Sequence, residues 1–174
     1  AVHALIVVDM QNDFLYGELA IDGCSAGQDG AEVVPIISSL RNNSAFDCVA
    51  VANDCHPSNH CSFHDVMTDP GSAPVEVHDA QSEEALKHAK EYERVILIAP
   101  DGESRMPQML WPAHCVEGTD GAKPPRELCI DPIDIEIQKG TSEAVDSHSA
   151  FYDYGRYGPG PSTEDGRTLL AELR

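Results

Sequence analysis

No stretch of this 174-residue chain is long and apolar enough to span a bilayer, and no succession of charged, apolar and small residues marks a secretory leader. Basic residues are scarce. Eleven Lys and Arg stand against 30 Asp and Glu, for a formal net charge of −19. Such a surface repels phosphate backbones and anionic lipid, so neither nucleic acid nor membrane is an expected partner. No Cys-x-x-Cys pair occurs among the cysteines at 24, 48, 55, 61, 115 and 129, and their spacing is not the tight framework of a small stapled domain. The expectation is free thiols in a reducing compartment, the cytoplasm. Internal repeats and low-complexity segments are missing too. What is present is a globular composition, 41% hydrophobic, of a length that suits one domain over residues 1–174.

The apolar pattern alternates between strands and helices. Val2 to Val8 is a nearly continuous apolar run, as in a strand buried on both faces of a parallel sheet. Residues 27–43 carry Val33, Val34, Ile36, Ile37 and Leu40 at helical spacing, with Pro35 marking either the helix start or a kink. Phe46 to Ala52 is the next strand, which completes a βαβ unit. A short helix is expected from Ser82 to Tyr92, a strand from Arg94 to Ala99, a turn at Asp101-Gly102 that suits a hairpin, and a strand from Ile133 to Gln138. Ser162 to Asp165 reads as the cap of a helix running to the end, with Leu169, Leu170 and Leu173 as its apolar face. The fold class is α/β, a three-layer αβα sandwich around a parallel sheet. A helix in such a fold normally feeds another strand, so the sheet reads as unfinished at Arg174.

Polar groups gather where these strands end. Asp9 follows the first strand directly, at the edge where open α/β sheets collect their chemistry. Burial there raises a carboxyl pKa and suits it to general-base work, although a turn-capping Asp fits the same position. Asp54 and His56 lie two apart at the end of the second strand and share a face, and His114 in Trp111-Pro112-Ala113-His114 offers a third ligand. One carboxylate and two imidazoles suit zinc or a similar divalent ion and leave positions open for water or substrate. Each His alone also fits a hydrogen-bonded loop role. Lys139 ends a later strand at the same edge as Asp9 and can pair with it, or snorkel at the surface. Phe14 and Trp111 suit a planar ring substrate, or the core.

Four segments together resemble one family. Ala4-Leu5-Ile6-Val7-Val8-Asp9-Met10-Gln11-Asn12-Asp13-Phe14, the segment from Asn53 to Phe63, the segment from Leu110 to Ala122, and Gln138-Lys139-Gly140-Thr141 with Val145 to Phe151 resemble the nicotinamidases of the isochorismatase-like cysteine hydrolase superfamily, in the same order. The resemblance implies an isochorismatase-like, Rossmann-like fold and hydrolysis of nicotinamide or a close analogue through a cysteine acyl-enzyme, a step of NAD salvage. It implies Asp9 as base and Lys139 as the second catalytic residue. It also implies Asp54, His56 and His114 around one divalent metal ion, zinc first, and Phe14 and Trp111 flanking the pyridine ring. Some relatives use an extra histidine in the metal segment, which makes His60 an unassigned candidate. Self-association stays open. Cys55 stands where the family has an aromatic, facing away from Asp54 and His56. The family's nucleophile follows the helix after the lysine segment, which puts it roughly ten to fifteen residues past Arg174. The chain therefore reads as the larger, N-terminal part of such an enzyme. The alternatives are a superfamily hydrolase that works without the cysteine and a catalytically inactive metal-binding fragment.

Overall fold

The computed structural model describes residues 3–22, 24–42, 45–69, 71–77 and 80–174. Three strands, β1 (Ala4–Val8), β2 (Cys48–Asp54) and β5 (Ile135–Lys139), form a parallel sheet in the order β1-β2-β5. Two more, β3 (Arg94–Ile98) and β4 (Arg105–Met109), pair antiparallel as a separate hairpin. The α/β class expected from the alternation is observed.

Alternation along the strands sends side chains to two cores. Val7 and Val51 join Leu15, Val34 and Leu128 on one face. Ala50, Ala52 and Ile137 join Ala150 and Leu169 on the other. A third cluster, with Leu97, Met106, Leu110, Met67 and Val145, seats the hairpin. Helix α1 (Asn12–Leu15) and helix α2 (Val34–Arg41) supply Leu15 and Val34 to the first face, and the last helix, α5 (Leu169–Glu172), covers the second. Arg41 of α2 is clamped bidentately by Asp134, just ahead of β5, with the longer contact at 2.7 Å.

Several boundaries differ from the sequence-based expectation. The helix expected over 27–43 begins as a 3-10 turn over Gly30–Val33, and its α-helical part starts at Val34 with Pro35 in the first turn, where the missing N–H costs nothing. Gly27 sits at φ 62, outside any helix. Its expected last residue, Asn43, and the first residue of the expected opening strand, Val2, lie outside the described residues. The second strand runs two residues further than expected and includes Asp54. The helix expected from Ser82 is α4 (Ala80–His88), so Ser82 is inside it, and Tyr92 at φ 67 lies beyond its end. Asp101-Gly102 does turn a hairpin: Gly102 takes φ 77, and Asp101 accepts from the N–H groups of Glu103 and Ser104. Its second strand, β4, contains Pro107, tolerable because a two-stranded ribbon has open edges. The final helix is a single turn capped by Thr168, not by Ser162 or Thr163. Thr163 instead closes its own turn with Arg167. Helix α3 (His64–Thr68) had no expectation attached.

Candidate active site

The three parallel strands deliver Asp9, Asp54 and Lys139 to one edge. Asp54 and Lys139 are direct partners in the ladder between β2 and β5, and Asp9 follows Val8, the last β1 residue paired to β2. Asp9 adopts φ 58, a left-handed conformation that a non-glycine residue reaches only at a cost of about 1–2 kcal/mol. Its N–H donates to the Ala52 carbonyl at 2.9 Å, so the strand carries the strain.

Lys139 is nearly fully buried, and its ammonium meets three oxygens: Asp54 Oδ1, Asp9 Oδ1 at 2.8 Å and the Ser147 carbonyl at 3.2 Å. It donates hydrogen bonds to Asp54 and Ser147, while Asp9 Oδ1 meets it as an ion pair without a hydrogen bond. Burial alone would lower its pKa, but the Asp54 and Asp9 carboxylates outweigh burial and raise it. Burial likewise raises the Asp9 carboxyl, opposed by Lys139 and assisted by the neighbouring Asp54 charge. Asp54 goes the other way. Burial would raise it, yet its contacts with His56 and Lys139 hold it well below the usual carboxylate range. Two carboxyls sharing one cation are thus pushed apart, and Asp9 is the one moved toward base strength.

Asp54 is fixed by a residue to which the sequence reading gave no role. Gln11, wholly buried, accepts from the Asp54 N–H at 2.8 Å and donates to the Asp54 carbonyl at 2.7 Å and to the Ala122 carbonyl at 2.7 Å. The signal was a polar residue just past the strand end, and its polar neighbours Asn12 and Asp13 make it read as part of an exposed loop.

Beyond β2 the chain stays extended. His56 pairs with Val116 in an isolated parallel bridge, its N–H donating to the Cys115 carbonyl at 3.0 Å. That keeps His56 on the Asp54 side, as the two-residue spacing implies. Its Nδ1 lies 2.9 Å from the Gly140 carbonyl, which takes the N–H and leaves Nε2 facing Asp54 Oδ2 at 3.6 Å. Gly140 has φ 64, and a Cβ there would sit 2.3 Å from His56 Cε1, so glycine is required twice over. His114 repeats the pattern, with Nδ1 on the Pro112 carbonyl at 2.8 Å and Nε2 left free. The two rings stand edge to face with centroids 5.1 Å apart. Ligand atoms of Asp54, His56 and His114 all lie within 4.8 Å of one another, and all three residues are buried. Two imidazoles locked in the Nε2-ligating tautomer beside a carboxylate fit a zinc-type ion. Burial would lower the His56 pKa, but the Asp54 contact outweighs it and raises it, whereas burial lowers that of His114.

Asp13, also without an assigned role, steadies the His114 loop. Its Oδ2 accepts the Cys115 N–H at 2.6 Å, holding Cys115 at φ 46. Cys115 and Cys61 are buried, and burial pushes both thiols well up, which suits packing rather than attack. Cys55 is half-buried with its thiol raised by burial and then by Glu117.

A cavity of about 430 Å³ opens onto this cluster. Asp9, Asp54, His114 and Lys139 form its polar end, while Phe14, Leu19, Ile21, Tyr92 and Trp111 supply apolar walls. Trp111 is braced edge-on by Tyr92 at 5.7 Å, and Phe14 meets the His114 ring at 5.7 Å. Six of the seven residues singled out in the sequence line this cavity, and His56 stands behind Asp54 and His114. Cys24 lines it too, from an exposed turn.

No protein-family model matches the chain. A curated nicotinamidase of Schizosaccharomyces pombe is 36% identical over 151 residues, 86% of this chain and 58% of that protein. Among solved structures, an Acinetobacter baumanii nicotinamidase pyrazinamidease superposes with a TM-score of 0.63 at 31% identity, covering 87% of this chain and 57% of that one. PnC1 from L. infantum in complex with nicotinate does so with 0.57 at 26%, covering 99% and 60%. The chain thus spans about three fifths of the length of the curated relatives it matches. By sequence and fold, over most of its own length, the chain is a homologue of the nicotinamidases.

Proposed function

We propose that the protein hydrolyses nicotinamide, or a close aromatic carboxamide, to the carboxylate and ammonia, a step of NAD salvage in the cytoplasm. The observation that carries this reading is the convergence of Asp9, Lys139 and the Asp54–His56–His114 trio on one aromatic-walled cavity. A relative bound to nicotinate supports the ring-carboxylate product, and free cysteines at all six positions are consistent with the compartment.

In this reading Asp9 accepts the proton of a cysteine thiol, and the thiolate adds to the carboxamide carbon. Lys139 keeps Asp9 aimed and compensates the charge that moves through it. It donates to Asp54 and to the Ser147 carbonyl and faces Asp9 as a fixed positive charge. The C–N bond breaks as Asp9 returns its proton to the departing nitrogen, which leaves as ammonia, and Asp9 then deprotonates the water that releases the acid. Phe14 and Trp111 hold the ring by its faces. A divalent ion held by Asp54, His56 and His114 supplies a Lewis-acid contact for the ring nitrogen or for water. The thiol is assigned to sequence outside these 174 residues, since none of the six cysteines here stands at the first turn of a helix that follows a strand of this sheet.

The test is nicotinate and ammonia release from nicotinamide by the protein carrying that cysteine. Asp9→Asn is expected to lower kcat/KM by about 10²–10⁴-fold. Undiminished turnover in that variant refutes the role of Asp9, and an unchanged rate after chelation refutes that of the metal. Isochorismate, offered in parallel, is expected to remain intact.

A further inference from the structure

Behind the trio lies a second group of ligating atoms. His56, His60 and Asp146 bring a ligand atom each to within 4.8 Å of one another, and all three are buried. We propose that these residues form an alternative divalent-cation position that competes with Asp54 and His114 for the His56 imidazole.

The first support is an unused nitrogen. His60 is fully buried, its Nδ1 lies 2.7 Å from Ser62 Oγ, and its Nε2 has no hydrogen-bond partner. The Val145 backbone faces the ring without forming a hydrogen bond to Nε2. An unpaired buried polar atom costs about 1–3 kcal/mol, so it calls for a ligand. The Ser62 hydroxyl can accept from Nδ1–H, which frees the Nε2 lone pair; the longer 3.3 Å approach of the Ser62 N–H is what that tautomer forgoes.

The second support is an underpaid anion. Asp146 is 5% exposed. Its carboxylate accepts from Gln108 Nε2 at 2.9 Å and from the Ser147 N–H at 2.7 Å. The nearest cationic candidate among the described residues is His148 Nε2 at 3.7 Å, on a side chain 64% exposed. The Gln108 and Ser147 hydrogen-bond donors are both neutral, so the buried carboxylate keeps lone pairs open to a cation, and two imidazoles with one carboxylate match zinc-type ions.

Competition follows from His56. Its Nδ1 is committed to the Gly140 carbonyl, so only Nε2 is left for either group. The His56 and His60 rings are neighbours, with centroids 4.2 Å apart, and a ligand atom of each lies within 4.8 Å of the other. The chain therefore binds one ion in either of two positions, and an ion with His60 and Asp146 is withheld from the cavity. This inference concerns metal binding alone and stands whether or not the protein hydrolyses nicotinamide.

The experiment uses Co²⁺ and Zn²⁺ on the metal-free chain. The unaltered chain is expected to bind one Zn²⁺ by calorimetry, and two would overturn the competition. His114→Ala is expected still to bind one Co²⁺, with a shifted visible spectrum. Adding His60→Gln or Asp146→Asn to it is expected to weaken binding at least about tenfold. Loss of all binding in folded His114→Ala, or indifference to the second substitution, overturns the proposal. Should neither double variant fold, nitrogen chemical shifts of His60 in His114→Ala decide it. A shift on adding Zn²⁺ is the expected result, and its absence overturns the assignment.

Discussion

Lys139→Met removes a buried cation and leaves its stem. In the metal-free protein the ammonium serves Asp54, whose side chain is 8% exposed, and Asp9, whose side chain is 35% exposed. Breaking a buried ion pair from one side costs about 3–5 kcal/mol, because the remaining charge stays buried. Asp54 incurs most of that. Asp9 reaches solvent and incurs less, and the methionine recovers some packing, which sets the expectation at about 3 kcal/mol. That is a large fraction of the about 5–15 kcal/mol typical of a domain. The pH dependence has a definite sign. Without the ammonium, both carboxyls hold their protons to higher pH than in the unaltered protein, so the variant loses stability relative to it as pH rises. The deficit relative to the unaltered protein should therefore be largest near neutrality and shrink towards about pH 4. Urea unfolding of chelator-treated samples at both ends of that range, read by far-UV circular dichroism, measures it. A deficit under about 1 kcal/mol near pH 7, or one that grows on acidification, would refute the reasoning.

Gly140→Ala places a methyl group against the His56 ring at a left-handed φ; the expected result is about 1–3 kcal/mol of destabilisation and roughly tenfold weaker Zn²⁺ binding, both measurable by calorimetry. His60 carries a pKa lowered from 6.5 to about 4, so the unfolded chain binds the extra proton between those values and acid erodes stability by up to about 3 kcal/mol; His60→Gln should flatten the unfolding free energy across that window, and an unchanged slope would contradict it. Gln11→Leu leaves the Asp54 backbone and the Ala122 carbonyl without their partners, for an expected loss of about 2–4 kcal/mol in urea unfolding, and a variant as stable as the parent would show that these bonds are replaced.

The fold was legible where apolar runs are unambiguous. β1 and β5 fell within one or two residues of expectation because hydrophobic periodicity dictates them. The site was legible because ligating and acidic residues stand at strand ends, where sequence spacing translates directly into direction. Helix boundaries were harder, as propensity at residues 27–33 and 162–168 gives way to positive-φ glycines and side-chain turns that only the tertiary setting selects. The supporting residues were harder still. Gln11, Asp13 and Asp146 work through backbone groups more than 30 residues away or through buried neighbours, and no local pattern announces a bond between Gln11 and Asp54. Gly140 follows the last strand residue, Lys139, and its duty towards His56 depends on a contact across 84 residues.

The pairing of Asp54 with Lys139 across β2 and β5 also guards the threading of the sheet. A slide of β5 by two residues would put Ile135 where Ile137 now sits, isoleucine for isoleucine on the same face, so greasy side chains alone would scarcely object. The ammonium, however, would be carried about 7 Å from its carboxylates, leaving the buried Asp54 without its cation. The residues that equip the cleft for chemistry are thus the ones that penalise the most innocuous misalignment available to this chain.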